Sequence, residues 1–181
     1  MLDAQSGDLL VTYEGSPYRA QGEPAFTDMV GHPAEAMIGR LVKLGVFNSV
    51  NKSFSPDALM TQGEYLRELH ILLEQENYLR EPGSMYRQLI SEKVISEEGF
   101  SSDDIITSGK AVQYLLRKVG HREVAEMSII FKVPGRIPLE LAGYAAIGSA
   151  YGLLSLNNWL AEQQLTRLAV AELFYAYLTR P

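Results

Sequence analysis

One pattern of about twenty residues occurs three times in this chain, and it limits the fold more than any other feature. Residues 54–73 read as an aromatic loop anchor (Phe54), a turn (Ser55, Pro56, Asp57), a threonine (Thr61) and then an apolar helical face. Shifting the register by 46 residues puts Phe100, Asp103, Ile106 and Thr107 on Phe54, Asp57, Met60 and Thr61. Ala111, Val112, Leu115 and Val119 then fall on Tyr65, Leu66, Leu69 and Leu73. A shift of 105 puts Trp159, Glu162, Leu165 and Thr166 on the same first four positions, followed by Val170, Ala171, Phe174 and Leu178. A gap-free match at both shifts implies internal repeats rather than three unrelated amphipathic helices.

Each copy carries its own helix start. Thr61, Thr107 and Thr166 are placed to act as N-caps, accepting a backbone N–H of the first turn. Glu64 stands three residues after Thr61, the spacing of a reciprocal capping box. Ahead of each central helix lies another helical pattern. Residues 33–45 carry Met37, Ile38, Leu41 and Leu44 on one face and end at Gly45. Residues 84–93 carry Tyr86, Leu89 and Ile90. Residues 138–151 are rich in small residues, with Gly143 and Gly148 inside the helix. Interior glycine costs about 1 kcal/mol relative to alanine, so a close helix–helix approach is expected there. Residues 122–131 predict an extra helix with Val124, Met127, Ile130 and Phe131 inward.

A single helix pair cannot bury its own apolar face. The expected fold is therefore all-α: three helix-loop-helix repeats forming a pseudo-trimer around a central three-helix bundle, with Phe54, Phe100 and Trp159 plugging the loops. Residues 1–25 differ from the rest. A β-prone run at residues 9–13 predicts a short N-terminal β segment, read as the end of an upstream β-containing domain followed by a linker. The repeats then occupy residues 26–77, 78–133 (with the extra helix) and 134–181.

Composition excludes several classes. The net charge of −6 opposes nucleic-acid binding, which needs a basic footprint. There is no cysteine, hence no disulfide and no thiolate metal site. No apolar run reaches the length of a membrane span. His32, His70 and His121 lack ligand spacing, and no nucleophile elbow, phosphate loop or metal-binding helix motif is found. No enzyme activity, metal or cofactor is expected.

The motifs Phe26-Thr-Asp28, Leu44-Gly45-Val46, Phe54-Ser-Pro56 and Thr61-Gln-Gly-Glu64 resemble the S-layer homology domain. Phe100 to Leu116, Gly143-Tyr-Ala-Ala, Tyr151-Gly-Leu-Leu and Leu165-Thr-Arg167 extend the likeness over about residues 26–179. Residues 1–14 resemble the end of a PepSY-like or similar β-rich domain. The family resemblance implies an exported protein at the bacterial, typically Gram-positive, cell surface. Its partner would be a secondary cell-wall polysaccharide, often pyruvylated, and the module would anchor the upstream domain non-covalently.

That family opens its second helix with Thr-Arg-Ala-Glu. Here the first copy has Gln62 and Gly63, the second reads Thr107-Ser-Gly-Lys110, and the third, Thr166-Arg-Leu-Ala169, keeps only the arginine. Arg167 follows its cap beside a helix N-terminus, whose N–H groups and dipole favour an anion. An arginine there can hold a ketal carboxylate bidentately, or it is a solvated surface residue. Lys110 can replace a missing cation, and Gln62 can bond a sugar hydroxyl. Asp28 is read as a sugar ligand or a cap for the helix after Pro33, Glu64 as a ligand or capping-box partner, and Trp159 as a stacking platform or loop anchor. The losses of arginine also fit a second reading, a degenerate copy that no longer binds polymer and packs against other protein.

Overall fold

In the computed structural model, residues 26–47, 52–74, 82–127 and 131–180 are described. The β-prone run at residues 9–13, the linker, and Asn48, Asn51 and Ile130 lie outside them. The described chain is helical: α1 (Glu35–Lys43), α2 (Gln62–Glu74), α3 (Pro82–Ser91), α4 (Ser108–Lys118), α5 (Arg122–Glu126), α6 (Ala142–Ala150) and α7 (Arg167–Thr179). No strand occurs among the described residues beyond three isolated bridges, and those bridges organise everything else. They pair Leu59 with Thr166, Thr61 with Ile105, and Thr107 with Gln164.

At the centre, the loops before α2, α4 and α7 bond to one another in a closed ring. The Ile106 N–H donates to the Met60 carbonyl (2.9 Å), Met60 N–H to Leu165 (3.0 Å), and Leu165 N–H to Ile106 (3.0 Å). Outside the ring, each helix start donates to the neighbouring loop. Gln62 and Gly63 N–H bond the Asp104 and Ser102 carbonyls. Ser108 and Gly109 bond Gln163 and Ala161, and Arg167 and Leu168 bond Ala58 and Pro56. Donors and acceptors all stand at the offsets of 46 and 105 that align the sequence pattern. The first turn of a helix has N–H groups with no intrahelical acceptor, and here a neighbouring loop supplies the acceptors.

The helices leaving this ring pack on each other. Leu66 and Leu69 of α2, Val112 and Leu115 of α4, and Val170, Ala171 and Phe174 of α7 are all buried. Tyr65 ties α2 to both partners: its hydroxyl donates to the Ala111 carbonyl (2.6 Å), and its ring lies 5.4 Å from that of Phe174. Phe54 and Trp159 are buried, whereas Phe100 is half-buried against Tyr86.

Towards the far ends the expected core needs correction. Leu73 and Val119 are half-buried and Leu178 is 39% exposed, while Tyr177 takes the inner position on α7. A step of one residue turns a helical side chain by about 100°, so only one of the two neighbours can face inward.

The pieces around α6 also differ from expectation. The helix expected over residues 138–151 is a 3-10 turn, Leu139–Leu141, followed by α6. The helix expected over residues 122–131 ends at Glu126; its Ala125 faces inward, and Val124 and the capping Met127 are 50% and 55% exposed. The cause is Gly143. An added Cβ there would lie 1.8 Å from the Ala125 carbonyl oxygen, so α6 approaches the α5 backbone more closely than any side chain permits. Small-on-small contact thereby decides which face of α5 turns in.

Two glycines separate propensity from packing. Gly143→Ala should destabilise the protein by about 1–3 kcal/mol in urea unfolding, because overlap with a backbone carbonyl outweighs the gain in helix propensity. Gly39→Ala in α1, where an added Cβ meets nothing within 4 Å, should stabilise it by up to about 1 kcal/mol.

Candidate functional site

The three threonines sit at the three helix starts. Thr61 Oγ1 accepts from the Glu64 N–H (3.2 Å), and Glu64 Oε2 accepts from the Thr61 N–H (2.9 Å). Thr107 accepts from Lys110 N–H (3.4 Å) and Thr166 from Ala169 N–H (3.2 Å). With the loop bonds described above, the first-turn N–H groups at these positions are spent. The idea that open N–H groups beside Arg167 attract an anion is therefore corrected: Arg167 and Leu168 N–H already bond Ala58 and Pro56 at 2.9 and 3.1 Å. The residues after the threonines do not point outward either, because the neighbouring loop covers them. Gln62 is 1% exposed.

The three positions after the caps carry different chemistry on the same frame. Gln62 Oε1 accepts from the Tyr114 hydroxyl (3.1 Å), and Ser108 Oγ accepts from the Trp159 indole N–H (2.6 Å). Arg167 is charged and lies over aromatic rings. Its guanidinium carbon is 5.5 Å from the Phe54 centroid and 5.8 Å from that of Phe47. Nη1 stands 3.9 Å from Glu64 Oε1, too far for a hydrogen bond. Nε is buried and has no hydrogen-bond partner. A cation on an apolar platform, still 18% exposed, is suited to take an anionic oxygen at its exposed edge.

Two carboxylates hold that platform. Asp28 accepts from the N–H groups of Phe54 (2.8 Å) and Ser55 (2.7 Å) and from the Ser53 hydroxyl (2.9 Å). It thus clamps the loop beneath Arg167 rather than capping α1, whose N-cap is Ala34 with no side-chain bond. Desolvation pushes the Asp28 carboxyl up, but the bonds from Phe54, Ser55 and Ser53 outweigh it and hold the group below its ordinary value of 3.8. Glu68, 5% exposed, accepts from the Phe47 N–H (2.7 Å) and meets Arg67 at 3.3 Å. Burial pushes its carboxyl above the ordinary 4.5, against the pull of the Phe47 bond and of Arg67 and Arg167.

The structure therefore brings Arg167 together with Glu64 and, through Phe54, with Asp28. It brings Gln62 and Lys110 together elsewhere, along a cavity of about 420 Å³ also lined by Asp104, Glu162 and Gln164. Lys110 Nζ donates to the Gly99 carbonyl (3.3 Å) at its edge. Phe47 and Glu68 are absent from the residues singled out in the sequence. Glu68 left one signal, a carboxylate among the inward positions Tyr65, Leu66, Leu69 and Leu72. Phe47 left none, since its role depends on a positive φ of 59°. No group of residues able to hold a metal ion occurs among the described residues, and no described helix is long and apolar enough to cross a membrane.

Comparison with known families adds one match. Residues 25–66 fit the model of the S-layer homology domain, a segment that begins just before Phe26 and ends inside α2. No curated protein matches the chain. Domains of this family are in general cell-wall anchoring modules, binding rather than catalytic, and associated with the cell surface. Over residues 25–66 this chain is thus similar to the S-layer homology domain family.

Proposed function

We propose that the protein attaches an exported polypeptide to the bacterial cell surface by binding secondary cell-wall polysaccharide, with Arg167 as the anion-holding residue. The observation that carries this reading is the Arg167 side chain, 18% exposed, seated over the Phe47 and Phe54 rings with Nη1 3.9 Å from Glu64. A carboxylate on the polymer, such as a pyruvate ketal, is an acceptor for the exposed part of that guanidinium. Glu64 and Asp28 belong to the same neighbourhood, one facing the guanidinium and one clamping the Phe54 loop. Gln62 and Lys110 contribute polar contacts for sugar hydroxyls from their own cavity.

The reading includes the repeat organisation. Three units at residues 26–77, 78–133 and 134–181 form a pseudo-trimer, supported by the cyclic bonding of Met60, Ile106 and Leu165. A second reading rests on a specific observation: the positions of Gln62 and Ser108 are engaged by Tyr114 and Trp159. On that view the module has lost polymer binding and serves as a packing surface for its neighbour.

Sedimentation separates the two. The protein should pellet with purified Gram-positive cell walls and stay in solution once the anionic polymer is extracted. Arg167→Ala should abolish pelleting while the thermal transition remains cooperative. Absence of pelleting with walls of its source organism would support the packing module.

Acid should also release the loop. Asp28 is held below 3.8, so the clamp's contribution to stability is complete above that pH and is lost as pH falls through the lower folded value. In urea unfolding followed between about pH 5 and 2.5, Asp28→Asn should be less stable at the upper end and lose this acid-sensitive component.

A further inference from the structure

The buried carboxylate of Glu68 has no part in capping or in the core, and its cost must be offset by something. Tyr65, Leu66 and Leu69 around it on α2 are at most 1% exposed. An ionised group at such a position is stable only with strong hydrogen bonds. The one it makes to buried backbone is to Phe47, and Phe47 is unusual in turn. It follows the left-handed Gly45 (φ 85°) and is itself left-handed at φ 59°. A non-glycine residue there carries backbone strain and persists only where its surroundings hold it. The 2.7 Å bond from its N–H to the Glu68 carboxyl is such a hold.

What is held is the ring. Phe47 lies edge-on to Phe54 (5.4 Å), stacked near Phe174 (6.1 Å), and 5.8 Å from the Arg167 guanidinium. It thus connects the loop after α1, the loop before α2 and the start of α7. We propose that Glu68 is a positioning residue for the polymer site: by pinning Phe47 in its left-handed conformation, it holds the ring on which Arg167 rests. Glu68 touches no ligand itself and acts through Phe47. The assignment deepens the reading of Arg167 as the anion-holding residue and rests on it for its functional consequence.

Two readouts test it on the full chain. In 15N-labelled protein, the Arg167 Nε–H resonance reports its seat over the rings without any ligand. Glu68→Ala should move that resonance towards the position of a solvated arginine and weaken pelleting with Gram-positive walls by about tenfold, the worth of one hydrogen bond. Glu68→Gln, which keeps an acceptor for the Phe47 N–H, should restore both. Should Glu68→Ala not fold, Phe47→Leu replaces it. That variant retains the bond and most of the apolar bulk, removes the ring, and should show the same displaced resonance. An unmoved Arg167 resonance in folded Glu68→Ala or in Phe47→Leu, or failure of Glu68→Gln to restore it, overturns the proposal. If the wild-type protein does not pellet, the anchoring function falls, and the resonance still decides the role of Glu68.

Discussion

The closed ring of backbone bonds among Met60, Ile106 and Leu165 is the constraint from which the rest of the structure follows. A helix start has N–H groups without acceptors, and an extended loop has carbonyls without donors. Here each loop answers the next helix start, and the third answers the first. None of these three helix starts is satisfied without a neighbouring loop. The same arrangement sets the helices leaving the ring side by side, so their apolar faces meet instead of water.

Packing then follows the frame. Tyr65 is fully buried because α4 and α7 flank it, one offering the Ala111 carbonyl and the other the Phe174 ring. Glycine at the second helical position lets neighbours close over the helix starts. An added Cβ at Gly63 would lie 2.8 Å from the Tyr86 hydroxyl, and one at Gly109 2.8 Å from Leu141. These close approaches make two of the three starts compact. At the third, Leu168 stands in the glycine position and a charged residue precedes it.

The site is a variation on that frame rather than an addition to it. Gln62, Ser108 and Arg167 occupy equivalent places, each in reach of an aromatic residue from elsewhere in the chain. Tyr114 bonds the amide, Trp159 bonds the hydroxyl, and two phenylalanine rings receive the guanidinium from below. Only in the last case is the side chain charged, and the other two places hold neutral pairs.

Much of this was legible in the amino acids. The offsets of 46 and 105, the threonine caps and the buried faces of Leu66, Leu115 and Phe174 are local and periodic properties, and local physics suffices to state them. Arg167 stands out in the sequence as the one arginine following a cap threonine, but its seat over the Phe47 and Phe54 rings does not. Other features depended on what lies across a contact. The inward turn of Ala125 was decided by a glycine in another helix, and the burial of Gln62 by a loop some forty residues away. Glu68 and Phe47 meet only because the chain doubles back between α1 and α2, which brings a strained N–H to a buried carboxylate. Sequence alone settles what each segment can form and which faces are apolar, because those depend on neighbours within a few residues. Which polar group finds which partner was left to the tertiary structure, because burial and hydrogen-bond geometry exist only once distant segments share the same space.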